Sequence, residues 1–168
     1  MPSNIEIKAR VNDLDAVAER VAALADRGCQ TMHQRDVFFN VPRGRLKLRF
    51  LSPDVGQLIF YERPDTPTIK QSQYVVAAVE RPESVCDALR AALGVRGEVL
   101  KSRRIYMVGR TRIHLDEVER LGTFVELEVV LEPGEAPEDG VREAEELMRA
   151  LGIAPAQLLA GAYVDMET

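Results

Sequence analysis

Between Arg112 and Glu128 the segment RIHLDEVERLGTFVELE reads as two strands turning at Leu121-Gly122, and a side-chain period of two sorts it onto two faces. Arg112, His114 and Asp116 share one face of the first strand, with Ile113 and Leu115 opposite. In the second strand Phe124, Glu126 and Glu128 share a face, opposite Val125, Leu127, Val129 and Leu131. Carboxylates on paired strands, backed by an apolar face, suit either a solvated surface or a site for a hard, oxygen-seeking cation. His114, on the face of Asp116, can exchange a proton near neutral pH. The plainer reading makes it a hydrogen-bonded member of a polar wall.

The cations that could answer these carboxylates also sit on strand-like segments. Lys8 and Arg10 alternate with Ile5, Ile7 and Ala9; Lys47 and Arg49 alternate with Leu46, Leu48 and Phe50; Arg63, Lys101, Arg103 and Arg112 lie on further extended stretches. Cations gathered on strands in a net-acidic chain point to a bound polyanion, with carboxylates among them holding Mg²⁺ or Mn²⁺ against its phosphates. A wet antiparallel sheet laced with cross-strand salt bridges gives the same pattern. Periodicity alone leaves both open.

The elements that must position these residues follow in order. Asn4 to Val11 alternates as a strand, and Asn12-Asp13 offers an N-cap to a helix with the stripe Leu14, Val17, Val21 and Leu24, stopped by Gly28. Strands are expected at Gln34 to Val41, Arg45 to Leu51 and Gln57 to Arg63, separated by Pro- and Gly-bearing turns. Pro64 to Ser72 reads as a mobile loop, and Gln73 to Glu80 as a strand. Pro82 opens a second helix with Val85, Cys86, Leu89 and Leu93 inward, ended by Gly94. Strands over Val99 to Val108, Arg110 to Glu117 and Thr123 to Glu132 lead to a helix from Val141 to Leu151. The tail from Pro155 reads as a helical turn and a last extended piece, AYVDM. The order is βαβββ, βαβββ, α, which looks like a duplicated half. Eight strands in one α+β domain can close into a barrel, turning the charged face inward.

The chain has 168 residues, enough for one domain (1–168) with a real core. Its 22 Lys and Arg against 27 Asp and Glu give a net charge of −5, so no general basic footprint argues for nucleic acid. No apolar run approaches the roughly 18 residues of a membrane span, and MPSNIEIKAR lacks an apolar signal core. Cys29 and Cys86 form no paired motif, which suits a cytoplasmic protein, and the lack of a long apolar run argues against a membrane partner. Cys86 belongs to a helix core, His33 to the surface, and Tyr61 and Tyr106 read as packing aromatics.

Several segments resemble the CYTH superfamily of triphosphate tunnel metalloenzymes, and its class IV adenylyl cyclase-like branch in particular. The opening I-E-I-K resembles the end of that family's E-x-E-x-K signature; RLKLR (Arg45 to Arg49) resembles its basic strand. LIFYERPD with Lys70-Gln71-Ser72-Gln73-Tyr74, then Lys101-Ser102-Arg103, HLDEVERLGTFVELE and Tyr163-Val164-Asp165, are similar to later family segments in the same order. The resemblance implies an eight-stranded antiparallel closed barrel, the triphosphate tunnel fold, with helices packed outside. It implies Glu6, Asp116, Glu126 and Glu128 as ligands of Mg²⁺ or Mn²⁺. Lys8, Lys47, Arg49, Arg63, Lys101, Arg103 and Arg112 would bind phosphate, with Lys8, Arg103 and Glu126 at the reaction centre. The substrate implied is ATP, thiamine triphosphate or tripolyphosphate. The reaction is cyclisation of ATP to cyclic AMP and pyrophosphate, or hydrolysis of a triphosphate; a non-catalytic triphosphate-binding module is the remaining reading. A homodimer is implied by the resemblance alone. Two positions depart from the family. Asn4 stands where the signature has its first Glu, and Tyr61-Glu62-Arg63-Pro64 stands where the family often has K-G-P.

Overall fold

The computed structural model describes residues 1–166; Glu167 and Thr168, which complete the expected 1–168 domain, lie outside the described residues. The elements are β1 (Ser3–Arg10), α1 (Leu14–Leu24), β2 (Gln30–Phe39), β3 (Arg45–Ser52), β4 (Val55–Glu62), β5 (Lys70–Glu80) and α2 (Pro82–Leu93). They continue with β6 (Val95–Val108), β7 (Thr111–Val118), β8 (Gly122–Val130), α3 (Pro137–Leu151), a 3₁₀ turn (Pro155–Gln157) and α4 (Tyr163–Met166). The strands close in the order β1-β5-β4-β3-β2-β6-β7-β8. All neighbours are antiparallel, and β8 returns to β1 through a register that sets Glu6 opposite Glu128 and Lys8 opposite Glu126.

Alternation decides which face of each strand looks inward. The apolar residues turn out toward the helices: Ile7, Ala9, Ile113, Leu115, Val125 and Leu127 meet Val17 and Val21 of α1 and Leu147, Met148 and Leu151 of α3. On the other flank Cys86 of α2 packs on Val37, Phe39, Leu48 and Phe50. Each fully buried aliphatic side chain contributes about 1.5–3 kcal/mol, so this outer layer is what holds the charged face inside. Gly140 shows how tightly α3 presses on the β1–β8 seam: a Cβ there would lie 2.6 Å from Ile5 Cγ1 and 2.7 Å from Leu131 Cδ2.

Local signals behave as their chemistry requires. Asp13 caps α1, accepting from Ala16 N–H at 3.0 Å, and Gly152 ends α3 in the left-handed region at φ 71°. The differences from the sequence reading lie where long-range pairing overrides local pattern. Residues Lys70 to Ser72, expected in a loop, pair with Glu6 to Asn4 and begin β5. The first strand-forming residues of β2 and β6 come earlier than their patterns suggest, since the two strands extend each other from Gln30–Ile105 to Phe39–Val95. Helix α1 ends at Leu24, which is exposed, short of Gly28. The AYVDM tail is not extended: Asp165 accepts from Ala162 N–H at 2.7 Å and turns it into α4. Tyr163 and Val164 then pack with Phe38, Val99, Val118 and Phe124, closing one end of the barrel.

Candidate active site

The lumen is a cavity of about 530 Å³ lined by the charged face of all eight strands. One side of it is cationic. β3 supplies Lys47 and Arg49, and β6 supplies Lys101 and Arg103. Between them β2 contributes Asp36, a residue whose importance the sequence reading missed. Arg49 forks onto it with Nε–Oδ1 and Nη2–Oδ2 both at 2.8 Å, while Lys101 Nζ lies at 3.1 Å and Lys47 Nζ at 3.2 Å. Burial alone would raise the Asp36 pKa; Arg49, Lys101 and Lys47 together hold it well below the usual carboxylate range. Burial lowers Lys47 to about 8, with Arg49 adding to the effect, and Lys101 to about 7 despite the pull of Asp36. Cations so crowded in a poorly solvated wall are stabilised by further negative charge.

The opposite side, from β1, β7 and β8, is acidic. His114, Glu126 and Glu128 each bring one ligand atom within 4.8 Å of the others, a group suited to a metal ion. Glu126 lies 3.3 Å from Lys8 Nζ and 3.5 Å from His114 Nδ1, and Glu128 accepts from Arg112 Nε at 2.9 Å. Burial would raise both carboxyls; Lys8 lowers Glu126, and His114 and Arg112 lower Glu128. Glu6 behaves differently. Burial pushes it up to about 7, with Glu128 and Glu126 adding to the rise, although Arg63 Nε stands 3.0 Å away. Three buried atoms facing this region make no hydrogen bond, Asn4 Oδ1, Arg63 Nε and His114 Nδ1, the last two lying 3.0 Å from Glu6 and 3.5 Å from Glu126 respectively. Carboxylates crowded into one wall beside an orphaned amide oxygen fit a divalent cation, and Asn4 supplies an oxygen where the family signature carries Glu.

Asp116 does not belong with them. It is fully buried, and both its oxygens are taken: Arg103 forks onto it at 2.7 and 2.6 Å and the Tyr163 hydroxyl donates to Oδ2 at 2.7 Å. Expected as a metal ligand, Asp116 here anchors Arg103, whose Nη2 reaches 3.4 Å from Glu126. Tyr163 anchors a second side chain, since Lys8 Nζ sits 3.8 Å above its ring.

A model of the CYTH domain matches residues 3–163. The chain belongs to the CYTH family. Among curated relatives, a Methanocaldococcus jannaschii protein provisionally named an adenylate cyclase is 25% identical over 97% of each chain. The adenylate cyclase CyaB of Aeromonas hydrophila is 26% identical, over 95% of this chain and 85% of its own. Among solved structures, a Pyrococcus horikoshii protein superposes with a TM-score of 0.87 at 24% identity, covering 98% of this chain and 99% of its own. A Hippeastrum protein, provisionally named an adenylyl cyclase and described as having a dominant triphosphatase activity, gives 0.62 at 18% identity, covering 96% and 91%. These structures share the closed barrel.

In this CYTH domain the remaining residues fall as follows. Lys8, Lys47, Arg49, Arg63, Lys101, Arg103 and Arg112 all line the cavity, as do Glu6, Glu126 and Glu128. Arg63 is held by Glu6 and by Gly161 O, which accepts from Nη2 at 2.7 Å. Tyr106 packs in the core as expected, but Tyr61 faces the lumen, its ring 5.5 Å from Lys47 Nζ. Asp36 was legible in principle: Gln34, Asp36 and Phe38 alternate in the segment just before the basic strand. Among the described residues no helix is long and apolar enough to cross a membrane.

Proposed function

We propose that this CYTH domain converts ATP to cyclic AMP and pyrophosphate inside its barrel, using Mg²⁺ or Mn²⁺. The observation that carries this reading is the opposition of two walls across one cavity: Lys47, Arg49, Lys101 and Arg103 on one side, Glu6, Glu126 and Glu128 on the other. The cationic wall takes the triphosphate, with Arg forks fixing oxygen positions and the lysines neutralising charge. Glu6, Glu126 and Glu128, with the amide oxygen of Asn4, would hold the metal ion, which supplies charge stabilisation at the phosphoryl oxygens. Lys8 and Arg103, each within reach of Glu126, keep that carboxylate ionised and oriented.

The ribose 3′-oxygen forms a bond to the α-phosphorus while the bond from that phosphorus to the β-bridging oxygen breaks. Pyrophosphate leaves as the charge on it grows. Lys101, Lys47 and Arg49 meet that charge, and positioning with charge stabilisation supplies most of the rate in such transfers. His114, whose Nδ1 stands 3.5 Å from Glu126 Oε2, belongs to the polar wall beside the metal-site carboxylates.

Hydrolysis is the second reading, favoured by Asn4, whose neutral side chain changes the charge of the metal site, and by the triphosphatase described for the Hippeastrum neighbour. Incubating the protein with ATP and, separately, tripolyphosphate in Mg²⁺ or Mn²⁺ and resolving all products separates them. Cyclic AMP with equimolar pyrophosphate is expected; orthophosphate without cyclic AMP makes it a triphosphatase. A thermal shift without products leaves a binding module. No shift with either ligand overturns the triphosphate reading.

A further inference from the structure

The C-terminal segment does more than fill one end of the barrel. Leu158 bridges to Ala9, and Leu159 N–H donates to Lys8 O at 2.8 Å. Leu159 O accepts from Lys70 Nζ at 3.1 Å, and Gly161 O accepts from Arg63 Nη2 at 2.7 Å. Tyr163 then enters the lumen itself. Its ring meets Phe124 with centroids 4.9 Å apart, Lys8 Nζ lies 3.8 Å and Lys101 Nζ 5.3 Å from its centre, and its hydroxyl donates to Asp116. One short stretch thus touches Lys8, Arg63 and Lys101 directly, and Arg103 through Asp116.

The consequence for Arg103 is geometric. Its Nε and Nη2 fork onto Asp116, so Nη1 is the nitrogen left to meet a ligand. A guanidinium is planar, and the plane of the carboxylate it forks onto sets the direction of the third nitrogen. Tyr163 donates to Oδ2, the oxygen that Nη2 also uses, and so fixes that plane with a charge-assisted bond. Lys8 is held twice, by the ring beneath its ammonium and by Leu159 at its backbone.

What holds Tyr163 lies outside the lumen. The segment separates the lumen, lined by Ala162 and Tyr163, from a second cavity of about 540 Å³ lined by Gly161, Asp165, Arg45 and Arg96. Asp165 Oδ2 accepts from Arg45 at 2.6 Å and from Ala162 N–H at 2.7 Å, and Oδ1 accepts from Arg96. A helix of four residues is not stable by itself, so these bonds and the packing of Tyr163 and Val164 keep it in place. Arg45 is buried and lies on β3 with Lys47 and Arg49, which ties the tail to the strand that carries the cationic wall.

We propose that Tyr163 is a positioning residue for the phosphate-binding cations, acting on Arg103 through Asp116 and on Lys8 through its ring, and that Asp165, outside the lumen, acts through Tyr163. The C-terminal segment is then a working part of the site. The inference rests on the phosphate reading of the lumen.

Metal-free calorimetry with tripolyphosphate, alongside melting temperatures, tests this. Tyr163→Phe keeps the ring against Phe124 and Lys8 and removes the bond to Asp116; binding is expected to weaken about tenfold. Asp165→Asn removes the charge that Arg45 and Arg96 meet, and is expected to weaken binding about fivefold. The double variant should fall well short of the roughly fiftyfold loss that independent sites would give. Val164→Ala is the control. Val164 packs with Phe38, Val99 and Val118 and does not line the lumen, so its truncation should lower the melting temperature and leave the affinity within about twofold. Wild-type affinity in Tyr163→Phe, or a loss in Val164→Ala as large as in Tyr163→Phe, overturns the positioning role while leaving the phosphate reading intact. Unchanged binding in Asp165→Asn, or a double variant that loses the full product, overturns the role of Asp165. If Tyr163→Phe does not fold, Asp165→Asn against Val164→Ala decides alone. Failure of wild type to bind tripolyphosphate removes the phosphate reading, and the inference with it.

Discussion

Lys101 gives the sharpest test of the lumen's electrostatics. Its ammonium is buried 3.1 Å from Asp36, and burial together with Arg103, Arg49 and Lys47 lowers it to about 7. At pH 8 it is therefore only about one-tenth charged in the free protein. A phosphate oxygen arriving about 4 Å away stabilises the ammonium by about 4 kcal/mol at an effective dielectric near 20, which is about three pKa units. Bound ligand should thus return Lys101 to its charged form, taking up about 0.9 proton at pH 8 and almost none at pH 6, where the free side chain is already charged. The sign follows from the same numbers: the protonated protein binds the anion, so affinity falls as pH rises above about 7. The assay is metal-free calorimetry of tripolyphosphate in buffers of different ionisation enthalpy, for wild type and Lys101→Met. The difference between the two removes the ligand's own protons and those of Glu6 and of Lys47, which lies at about 8. Equal proton uptake in both proteins at pH 8 would show that Lys101 is charged in the empty lumen, and would refute the burial argument.

Two further substitutions separate the walls. Glu126→Gln removes the charge that faces Lys8 at 3.3 Å and Arg103 at 3.4 Å; metal-dependent turnover should fall by roughly a hundredfold or more with the circular dichroism of the barrel unchanged, and a retained full rate would rule out the metal assignment. Asp36→Asn breaks a buried carboxylate shared by Arg49, Lys47 and Lys101; urea unfolding should show a loss of about 3–5 kcal/mol, and a loss within experimental error would mean the cationic wall holds itself without it.

What the sequence by itself determined is which side chains share a face. Alternation is a property of each strand alone, so Glu126 with Glu128, Lys47 with Arg49, Lys101 with Arg103 and Glu6 with Lys8 could be grouped before any partner was known. Pro82, Gly94 and Gly152 likewise placed helix ends, because a fixed or positive φ acts within a few residues. Whether the charged faces pointed to water or to one another was not local. It required β8 to return to β1 and bring Lys8 against Glu126, a pairing between the two ends of the chain. The same holds for the site's exact membership. Asp116 shares a face with His114, as alternation requires, yet Arg103 from β6 and Tyr163 from α4 arrive to occupy both of its oxygens. Asp36 looked like one acid in a mixed strand until β2 was set between β3 and β6, where three cations converge on it. The AYVDM tail, expected extended, is a helix because Tyr163 is buried at the end of the barrel and Asp165 accepts from Ala162 N–H. Charge complementarity acts through space, so only closure of the barrel could turn the faces into opposing walls.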